Sequence, residues 1–200
     1  GLKVFGPDRF CSKLEGSKIF TKKICEDKKI PTANFKILKN IESSLNFLKS
    51  KKYPLVVKAD GLAAGKGVYI CENFDKAKIA VEEIFNGKFG YSDEVLVEDF
   101  LRGEEMSFFI LYDNNTYKLF NTAQDHKRVF EKDKGKNTGG MGAYSPSRLI
   151  NHDLQQKILK KIILPTLNYL KEKNGNYVGF LYAGLMIFDN EPFLIEYNVR

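Results

Sequence analysis

Apolar residues follow two spacings along this chain, one typical of helices and the other of strands. Apolar positions three or four residues apart predict helices over Asp8–Lys29, Ile41–Lys51, Asp75–Phe85 and Leu154–Leu170. Runs rich in β-branched and aromatic residues predict strands between them. These strands are Lys3–Phe5, Phe35–Leu38, Leu55–Ala59, Val68–Cys71, Glu94–Phe100, Met106–Tyr112, Val178–Phe188 and Pro192–Val199.

Glycine, serine and proline mark where the helices are interrupted or end. The first helical stretch is broken near Gly16, and Ser17 is placed to cap a second helix. Pro31 ends that helix. Pro165 predicts a kink or break in the last helix, because proline has no N–H to donate inside a helix.

Two connections complete the predicted architecture. Asp189-Asn190 is a turn signal that joins the last two strands as a hairpin. Residues 124–146 are rich in Gly, Asn and Lys, and they predict one long polar loop. Strands and helices mix without a regular strand–helix–strand alternation, so the sequence predicts the α+β class.

The composition is that of a folded globular protein. Of the 200 residues, 43% are hydrophobic and 28% are charged, which is close to the averages of globular domains. The longest apolar run, Gly179–Phe188, is shorter than the roughly 18 residues that a membrane span needs. We therefore expect no association with a membrane.

The charge limits the kinds of binding partner that we expect, and the cysteine content indicates the cellular compartment. The net charge of +7 comes mostly from lysines that are interleaved with acids along the whole chain. A nucleic-acid-binding protein concentrates its basic residues on one element, so we expect small anionic substrates and no nucleic acid. Cys11, Cys25 and Cys71 fall at unrelated spacings, which indicates a reducing, cytoplasmic location without disulfides or zinc.

A glycine-rich segment between two predicted strands is the clearest candidate for a ligand site. It runs YPLVVKADGLAAGKGVYIC, with Lys58 at the end of the first strand and Lys66 inside the loop. It is not a P-loop, because the spacing from Gly61 to Gly65 is one residue short and Gly67 offers no hydroxyl. A glycine-rich hairpin can still fold over polyphosphate with its backbone N–H groups. The alternative is a flexible turn without a ligand.

Acidic residues flank the link between two later strands, in VLVEDFLRGEEMSFFIL. The link, with Glu98 before it and Glu104-Glu105 after it, can present backbone N–H and C=O groups to the edge of an adenine. A following carboxylate such as Glu105 can accept hydrogen bonds from ribose hydroxyls. Solvated acids at strand ends would give the same pattern, so this segment alone does not establish a nucleotide site.

The final strand, PFLIEYNVR, carries three polar residues at alternate positions. Residues two apart on a strand share a face, so Glu196, Asn198 and Arg200 are expected on one side. Carboxylate and amide oxygens suit Mg²⁺, and an arginine beside them suits the charge of a transferring phosphoryl group. The alternative is the exposed polar face of an edge strand.

The polar loop supplies a further set of groups that could hold a phosphorylated or carboxylated substrate, with cationic side chains for charge and glycine N–H groups for oxygens. The set consists of Asp125, His126, Lys127, Arg128, Thr138, Gly139 and Gly140. His126 has no Ser or Cys partner at a recognisable spacing, so no nucleophile is predicted. The alternative is a solvated mobile loop.

Six motifs together resemble the glycinamide ribonucleotide synthetase (phosphoribosylamine–glycine ligase) family of the ATP-grasp superfamily. They are LEGSK (14–18), VVKADGLAAGKGV (56–68), QDHKRV (124–129), NTGGMGAYSP (137–146), GFLYAGLMI (179–187) and EYNVR (196–200). The resemblance covers essentially the whole chain, and several motifs are specific to this ligase family. The family has further chain before and after this segment, so the chain resembles a central part of such a ligase.

The resemblance implies a two-subdomain ATP-grasp fold with the nucleotide held between the subdomains. Residues 1–32 would be the end of an N-terminal domain and a connector, 33–103 the small lid subdomain and 104–200 the large one. The implied ATP contacts are Lys18, Lys58, Gly61, Gly65, Lys66, Gly67, Glu98, Phe100, Leu101 and Glu105. Lys58 and Arg200 would serve catalysis, and Glu196 and Asn198 would bind Mg²⁺ or Mn²⁺.

The implied reaction joins glycine to 5-phosphoribosylamine at the expense of ATP, a step of purine biosynthesis. Asp125, Lys127, Arg128 and the turn Thr138–Gly140 would line the side of these two substrates. Other ATP-grasp ligases that form a different acyl phosphate, and a non-catalytic nucleotide-binding fragment, are the alternatives. The motifs leave the oligomeric state open, and a monomer is the preferred expectation.

Overall fold

The computed structural model describes residues 4–62, 67–126, 128–130, 134–138 and 140–200. In chain order its elements are β1 (Gly6–Pro7), α1 (Lys13–Gly16), α2 (Lys18–Lys28), β2 (Phe35–Leu38), α3 (Ile41–Lys49), β3 (Leu55–Ala59), β4 (Val68–Cys71), α4 (Phe74–Phe85), β5 (Val95–Asp99), β6 (Glu104–Asp113), β7 (Tyr117–Leu119), β8 (Gln124–Asp125), β9 (Arg128–Phe130), β10 (Lys134–Asn137), β11 (Ala143–Tyr144), α5 (His152–Ile158), a π-helical segment (Leu159–Ile163), α6 (Leu164–Glu172), β12 (Tyr177–Phe188) and β13 (Glu191–Val199).

The chain divides into two compact units. The first unit contains Gly1–Ser12, Ile24–Pro31 and Arg102–Arg200, and the second contains Lys13–Lys23 and Thr32–Leu101. Every pairing between named strands in the described residues is antiparallel. Helices combined with antiparallel sheets confirm the predicted α+β class.

The second unit is built on a four-stranded sheet of order β2-β5-β3-β4. Alternate residues of a strand face opposite sides of a sheet. Val57 of β3 and Val97 of β5 lie opposite each other and belong to the core that these strands form with α3 and α4. Asn40 caps α3 and Asn73 caps α4, each accepting a backbone N–H with its side-chain oxygen. The other face of the sheet carries Lys58 and Glu98.

The first unit is built on a five-stranded sheet, in which the order is β1-β12-β6-β7 and β13 also pairs with β12. The hairpin of β12 and β13 turns at Asp189 and Asn190, whose φ angles are 51° and 57°. Two successive positive φ angles are those of a type I′ turn, which matches the twist of antiparallel strands. The predicted final hairpin is confirmed.

The helical region of this unit differs from its prediction in one respect. The helix continues through Pro165, and the irregularity lies one turn earlier, in the π-helical segment Leu159–Ile163. Pro165 has no N–H to donate to the carbonyl of Lys161. In the π-helical segment before it, the N–H of Leu164 donates five residues back, to the carbonyl of Leu159. The predicted interruption thus corresponds to a π-helical segment that ends at Ile163, two residues before Pro165.

The polar segment 124–146 contains regular structure that the sequence does not predict. Strand β8 pairs with β11, and β9 pairs with β10, as two small two-stranded sheets. Backbone N–H and C=O groups can satisfy one another across strands that have no apolar face. The prediction of one long loop is therefore wrong for these strands. The short edge strand β7, of only three residues, was also not predicted.

The N-terminal prediction also needs correction. The predicted strand Lys3–Phe5 is not formed at Phe5, and Gly6 and Pro7 pair with β12 instead; Lys3 lies outside the described residues. The helix predicted from Asp8 begins only at Lys13, since the carboxylate of Asp8 accepts the N–H of Cys11 in a local turn.

No helix in the described part of the chain is long and apolar enough to cross a membrane.

Candidate functional site

Lys58 and Glu98 form a buried ion pair on one face of the sheet in the second unit. The ammonium Nζ of Lys58 donates to Oε2 of Glu98 at 3.0 Å. Both residues are buried, with exposed fractions of 5% for Lys58 and 4% for Glu98. Glu98 belongs to β5, a central strand that pairs with β2 on one side and with β3 on the other. The sheet therefore holds the predicted phosphate-binding lysine against a fixed carboxylate.

A second lysine approaches the same carboxylate from α2. Nζ of Lys22 lies 3.3 Å from Oε1 of Glu98, and it donates to the hydroxyl of Thr32 at 2.5 Å. Lys22 is 2% exposed, and its ammonium also lies 5.5 Å from the centre of the Phe35 ring. Sequence reasoning missed Lys22, although its position three residues from Ile19 places a charge on the apolar face of the helix.

The start of the glycine-rich segment is tied to the N-terminus of α2. The carboxylate of Asp60 accepts hydrogen bonds from the Ser17 hydroxyl and from the N–H of Ile19 at 3.0 Å. The Ser17 hydroxyl accepts the N–H of Phe20, so the predicted helix cap is confirmed. Lys18 donates to the carbonyl of Gly61 at 2.9 Å. The structure thus brings the predicted phosphate contacts Lys18 and Gly61 together.

The rest of that segment is described only at its end. Gly67 accepts the N–H of Ala59 at 2.8 Å, which closes the base of the hairpin between β3 and β4. Gly65 and Lys66 lie outside the described residues. After β5 ends at Asp99, Phe100 and Leu101 follow without a strand partner, whereas Glu98 is paired on both sides. Phe100 and Leu101, two of the predicted adenine contacts, therefore have backbone N–H and C=O groups that do not take part in the sheet.

The first unit gathers the other predicted nucleotide and metal residues on one face of its sheet. Gly184 pairs with Glu196 and with Ser107, and Tyr182 pairs with Asn198. Residues that face each other across antiparallel strands share a side of the sheet, and alternation along β6 puts Glu105 on the side of Ser107. Glu105, Glu196 and Asn198 consequently lie on the same face.

Buried contacts on the opposite face fix this orientation of β13. Tyr197 is 2% exposed, and its hydroxyl lies 2.7 Å from that of Thr166 in α6. Burial raises the pKa of Tyr197, so its phenol remains neutral and serves as a structural anchor. Because Tyr197 points into the core, Glu196 and Asn198 on either side of it point the other way.

Gly184 leaves room beside the candidate metal ligand. A β-bulge lies between Gly184 and Leu185, where the register with β13 shifts. A Cβ added at Gly184 would lie 3.1 Å from the hydroxyl of Tyr182 and 3.4 Å from Cγ of Glu196. Tyr182 is therefore a residue of this face that sequence reasoning missed, and the alternation of YAGLMIF opposite EYNVR is the signal that could have found it.

Arg200 is held at the end of β13 by close backbone contact with β12. Phe180 and Arg200 exchange two backbone hydrogen bonds, of 2.7 and 2.9 Å. The Arg200 backbone passes so near Gly179 that an added Cβ would lie 2.0 Å from the Arg200 carbonyl oxygen. The absence of a side chain at position 179 therefore permits the position of Arg200.

We expect Gly179→Ala to destabilise the protein by about 1–3 kcal/mol, the usual range for forcing an extra methyl group into a packed site. The measurement is urea unfolding of the intact protein that contains this chain. The control is Gly16→Ala, since a Cβ at Gly16 would meet nothing within 4 Å. Equal stability of the two variants would contradict the close approach at Arg200.

The donor set on β13 fits a hard divalent cation. Glu196 offers carboxylate oxygens and Asn198 an amide oxygen, which are ligands that Mg²⁺ accepts when phosphates and water complete its shell. The described residues contain no group of three or more His, Cys, Asp or Glu side chains that could hold a metal by themselves. A metal bound here would thus depend on ligands from the substrate.

The predicted substrate residues are brought together only in part. Asp125 in β8 pairs with Ala143, and a Cβ on Gly140 would lie 3.2 Å from the Asp125 carboxylate. Gly140 also donates its N–H to the hydroxyl of Thr138 at 3.1 Å. Lys127 and Gly139 lie outside the described residues, and only the backbone of Arg128, in β9, is described.

A polar network behind this turn was not predicted. The side-chain oxygen Oε1 of Gln124 accepts from the hydroxyls of Tyr144 and Ser147, and the hydroxyl of Thr122 accepts the N–H of Ser147. Gln124, Thr122 and Ser147 are all buried. Hydrogen-bonded buried groups of this kind rigidify the chain, so the network supports the backbone on which Asp125 lies.

The three cysteines belong neither to the ion pair of Lys58 and Glu98 nor to the sheet face that carries Glu196. All are buried and unbridged. Burial raises the pKa of the Cys11 thiol to about 12 and that of Cys71 to about 11. Neither thiol is a usable nucleophile near neutral pH, which agrees with a site that works through charge and position.

Comparison with solved structures identifies the fold as ATP-grasp. The biotin carboxylase domain of the Hydrogenobacter thermophilus 2-oxoglutarate carboxylase superposes with a TM-score of 0.74 at 20% identity, over 100% of this chain and 43% of that one. The phosphoribosylamine–glycine ligase of Thermotoga maritima superposes with a TM-score of 0.90 at 35% identity, over 98% of this chain and 50% of that one.

The chain belongs to the phosphoribosylglycinamide synthetase family, whose ATP-grasp (A) domain matches residues 16–200. The phosphoribosylamine–glycine ligase of Leptospira interrogans is 47% identical over the whole chain. The chain spans about half the length of the curated relatives that it matches, at 47% of the Leptospira protein. The resemblance inferred from the six motifs is confirmed.

Proposed function

We propose that the intact protein containing this chain is an ATP-dependent ligase that joins glycine to 5-phosphoribosylamine and yields glycinamide ribonucleotide, ADP and phosphate. One observation carries the proposal: Glu105, Glu196 and Asn198 share one sheet face, beside the fixed end of β13 at Arg200. Family membership and relatives named phosphoribosylamine–glycine ligase support the choice of substrates.

The nucleotide roles follow the chemistry of each group. Lys18 and Lys58 contact the phosphates of ATP, and the glycine-rich segment from Gly61 to Gly67 covers them with its backbone N–H groups. Phe100 and Leu101 offer backbone groups to the adenine. Glu105 accepts from the ribose hydroxyls, as acidic residues do in other nucleotide sites.

Metal binding belongs to the same proposal. Glu196 and Asn198 hold Mg²⁺ or Mn²⁺, which when bound neutralises charge on the phosphates of ATP. Arg200, next to them on the strand, stabilises negative charge on the phosphoryl group during transfer. The contribution of these three side chains is orientation and charge.

The reaction needs no nucleophile from the protein. A carboxylate oxygen of glycine attacks the γ-phosphorus of ATP, which releases ADP and forms glycyl phosphate. The amine of 5-phosphoribosylamine then attacks the acyl carbon and expels phosphate. Asp125, Lys127, Arg128 and the turn Thr138–Gly140 hold these two substrates, so the rate comes mainly from positioning.

The site of action is proposed to be the cytoplasm, because all three cysteines are unbridged and free thiols are typical of reducing compartments. We propose that the protein acts as a monomer.

Substrate-dependent ADP release by the intact protein tests the proposal. We expect ADP to accumulate with glycine and 5-phosphoribosylamine together, and only slowly when 5-phosphoribosylamine is omitted. Bicarbonate and formate in place of glycine serve as controls, since other ATP-grasp ligases could activate them. Release that depends on either of those acids instead of glycine would overturn the proposed substrate.

A further inference from the structure

We infer that the carboxylate of Glu98 is a positioning residue that holds the ammonium group of Lys58 in place for a phosphate of ATP. The inference rests on the proposed function, because it takes Lys58 as a phosphate-binding residue. It assigns to the Glu98 side chain a role separate from the adenine contact that the sequence motif implied for this position.

The hydrogen bond from Lys58 to Glu98 fixes the position of the Lys58 ammonium. A lysine side chain has four rotatable bonds and loses rotamer freedom when it is fixed. Oε2 of Glu98 fixes it at 3.0 Å, and Glu98 itself is held in a strand that is paired on both sides. The ammonium is therefore placed before any nucleotide binds.

A second anchor holds the other oxygen of the carboxylate. Lys22 lies 3.3 Å from Oε1, and the hydroxyl of Thr32 accepts from the same ammonium. Oε1 makes no hydrogen bond of good geometry among the described residues, although it is fully buried. Lys22 therefore acts on Oε1 through its charge at 3.3 Å, while its hydrogen bond to Thr32 keeps the ammonium in place.

The carboxylate could in principle oppose ATP binding, because it is itself negative. Lys22 lies close enough to offset its charge, so its repulsion of a phosphate is largely cancelled. Replacing the carboxylate with an amide leaves two buried ammonium groups, Lys22 and Lys58, beside a weak dipole. Repulsion between them displaces Lys58, and we expect weaker nucleotide binding rather than tighter binding.

A double-mutant cycle separates positioning from a purely structural role. The four intact proteins are wild type, Lys58→Met, Glu98→Gln and the double variant. The dissociation constant of the non-hydrolysable ATP analogue AMP-PNP, with Mg²⁺, is measured by calorimetry, and thermal unfolding is followed in parallel. Loss of a charge-assisted phosphate contact should weaken binding about 10- to 150-fold in Lys58→Met.

We expect Glu98→Gln to weaken AMP-PNP binding about tenfold in the presence of Lys58 and less than about twofold in its absence. A residue that acts through Lys58 has nothing left to position once Lys58 is gone. The control is Glu83→Gln in the same unit, because Glu83 also pairs with a lysine, Lys88 at 2.6 Å. This control should bind AMP-PNP as wild type does.

Additive effects of Glu98→Gln and Lys58→Met, or tighter binding by Glu98→Gln, would overturn the inference while leaving the proposed function intact. Unchanged binding in Lys58→Met would instead show that Lys58 does not bind a phosphate of ATP, which is the part of the proposed function on which the inference rests. If Glu98→Gln does not fold, Glu98→Asp keeps the charge and shortens its reach. The same cycle with aspartate should give a smaller loss of binding that again disappears without Lys58.

Discussion

Replacing Lys58 with alanine should lower kcat/KM for ATP about 10- to 150-fold in the intact protein that contains this chain. In the proposed site the ammonium makes a charge-assisted contact with phosphate, worth about 1.5–3 kcal/mol. Each 1.36 kcal/mol is a factor of about ten in rate. Truncation also removes one of the two cations that flank the buried carboxylate of Glu98. A further loss of stability is therefore expected, because a buried charge without its partner is costly.

Initial rates at varied ATP concentration, with unfolding curves for the same variant, provide the measurement. Lys78→Ala is the matched control, because Lys78 lies on α4 of the same unit and pairs with Glu82 at 3.9 Å on the surface. Surface pairs of this kind contribute little, so the control should keep wild-type kinetics. If Lys58→Ala did so as well, ATP phosphates do not bind at this lysine.

Replacing the two candidate metal ligands should raise the Mg²⁺ concentration needed for half-maximal rate. Glu196→Ala should have the larger effect, because a carboxylate contributes a full charge, whereas the amide of Asn198 contributes only a dipole. Loss of one charged ligand interaction of about 1.5–3 kcal/mol corresponds to a shift of about 10- to 150-fold. The shift for Asn198→Ala should be smaller.

Titration of Mg²⁺ at saturating ATP, repeated with Mn²⁺, measures these shifts. Glu191→Ala is the control on the same strand, because Glu191 pairs with Lys157 and Lys161 at the surface instead. Its metal dependence should match the wild type. A wild-type titration curve in both Glu196→Ala and Asn198→Ala would exclude this strand from the metal site.

The local pattern was sufficient to predict most of the regular structure. The hairpin of β12 and β13 follows from two apolar runs and an Asp-Asn pair that accepts positive φ angles. The strand that carries Glu196 and Asn198 follows from simple alternation. The small sheets in 124–146 did not follow, because their pairing is set by backbone hydrogen bonds between residues with no apolar alternation.

The candidate site was predictable in its motifs but not in its internal contacts. The glycine-rich motif pointed to Lys58, yet only the pairing of β3 with β5 shows that Lys58 meets Glu98. Lys22 carried a signal that could have been read, since a lysine among apolar helix positions needs a buried partner. Its partner, Glu98, lies 76 residues away in sequence. A local sequence pattern cannot identify a partner at that separation.

Labelling with oxygen-18 tests most directly the proposal that ATP activates the carboxylate of glycine. In the ADP-release assay with both substrates, glycine labelled in both carboxylate oxygens should deliver one label to each inorganic phosphate. The bridging oxygen of glycyl phosphate comes from glycine, and it leaves with phosphate when the amine attacks the acyl carbon. Phosphate that carries no label, formed at the same rate as ADP, would contradict the proposed activation of glycine.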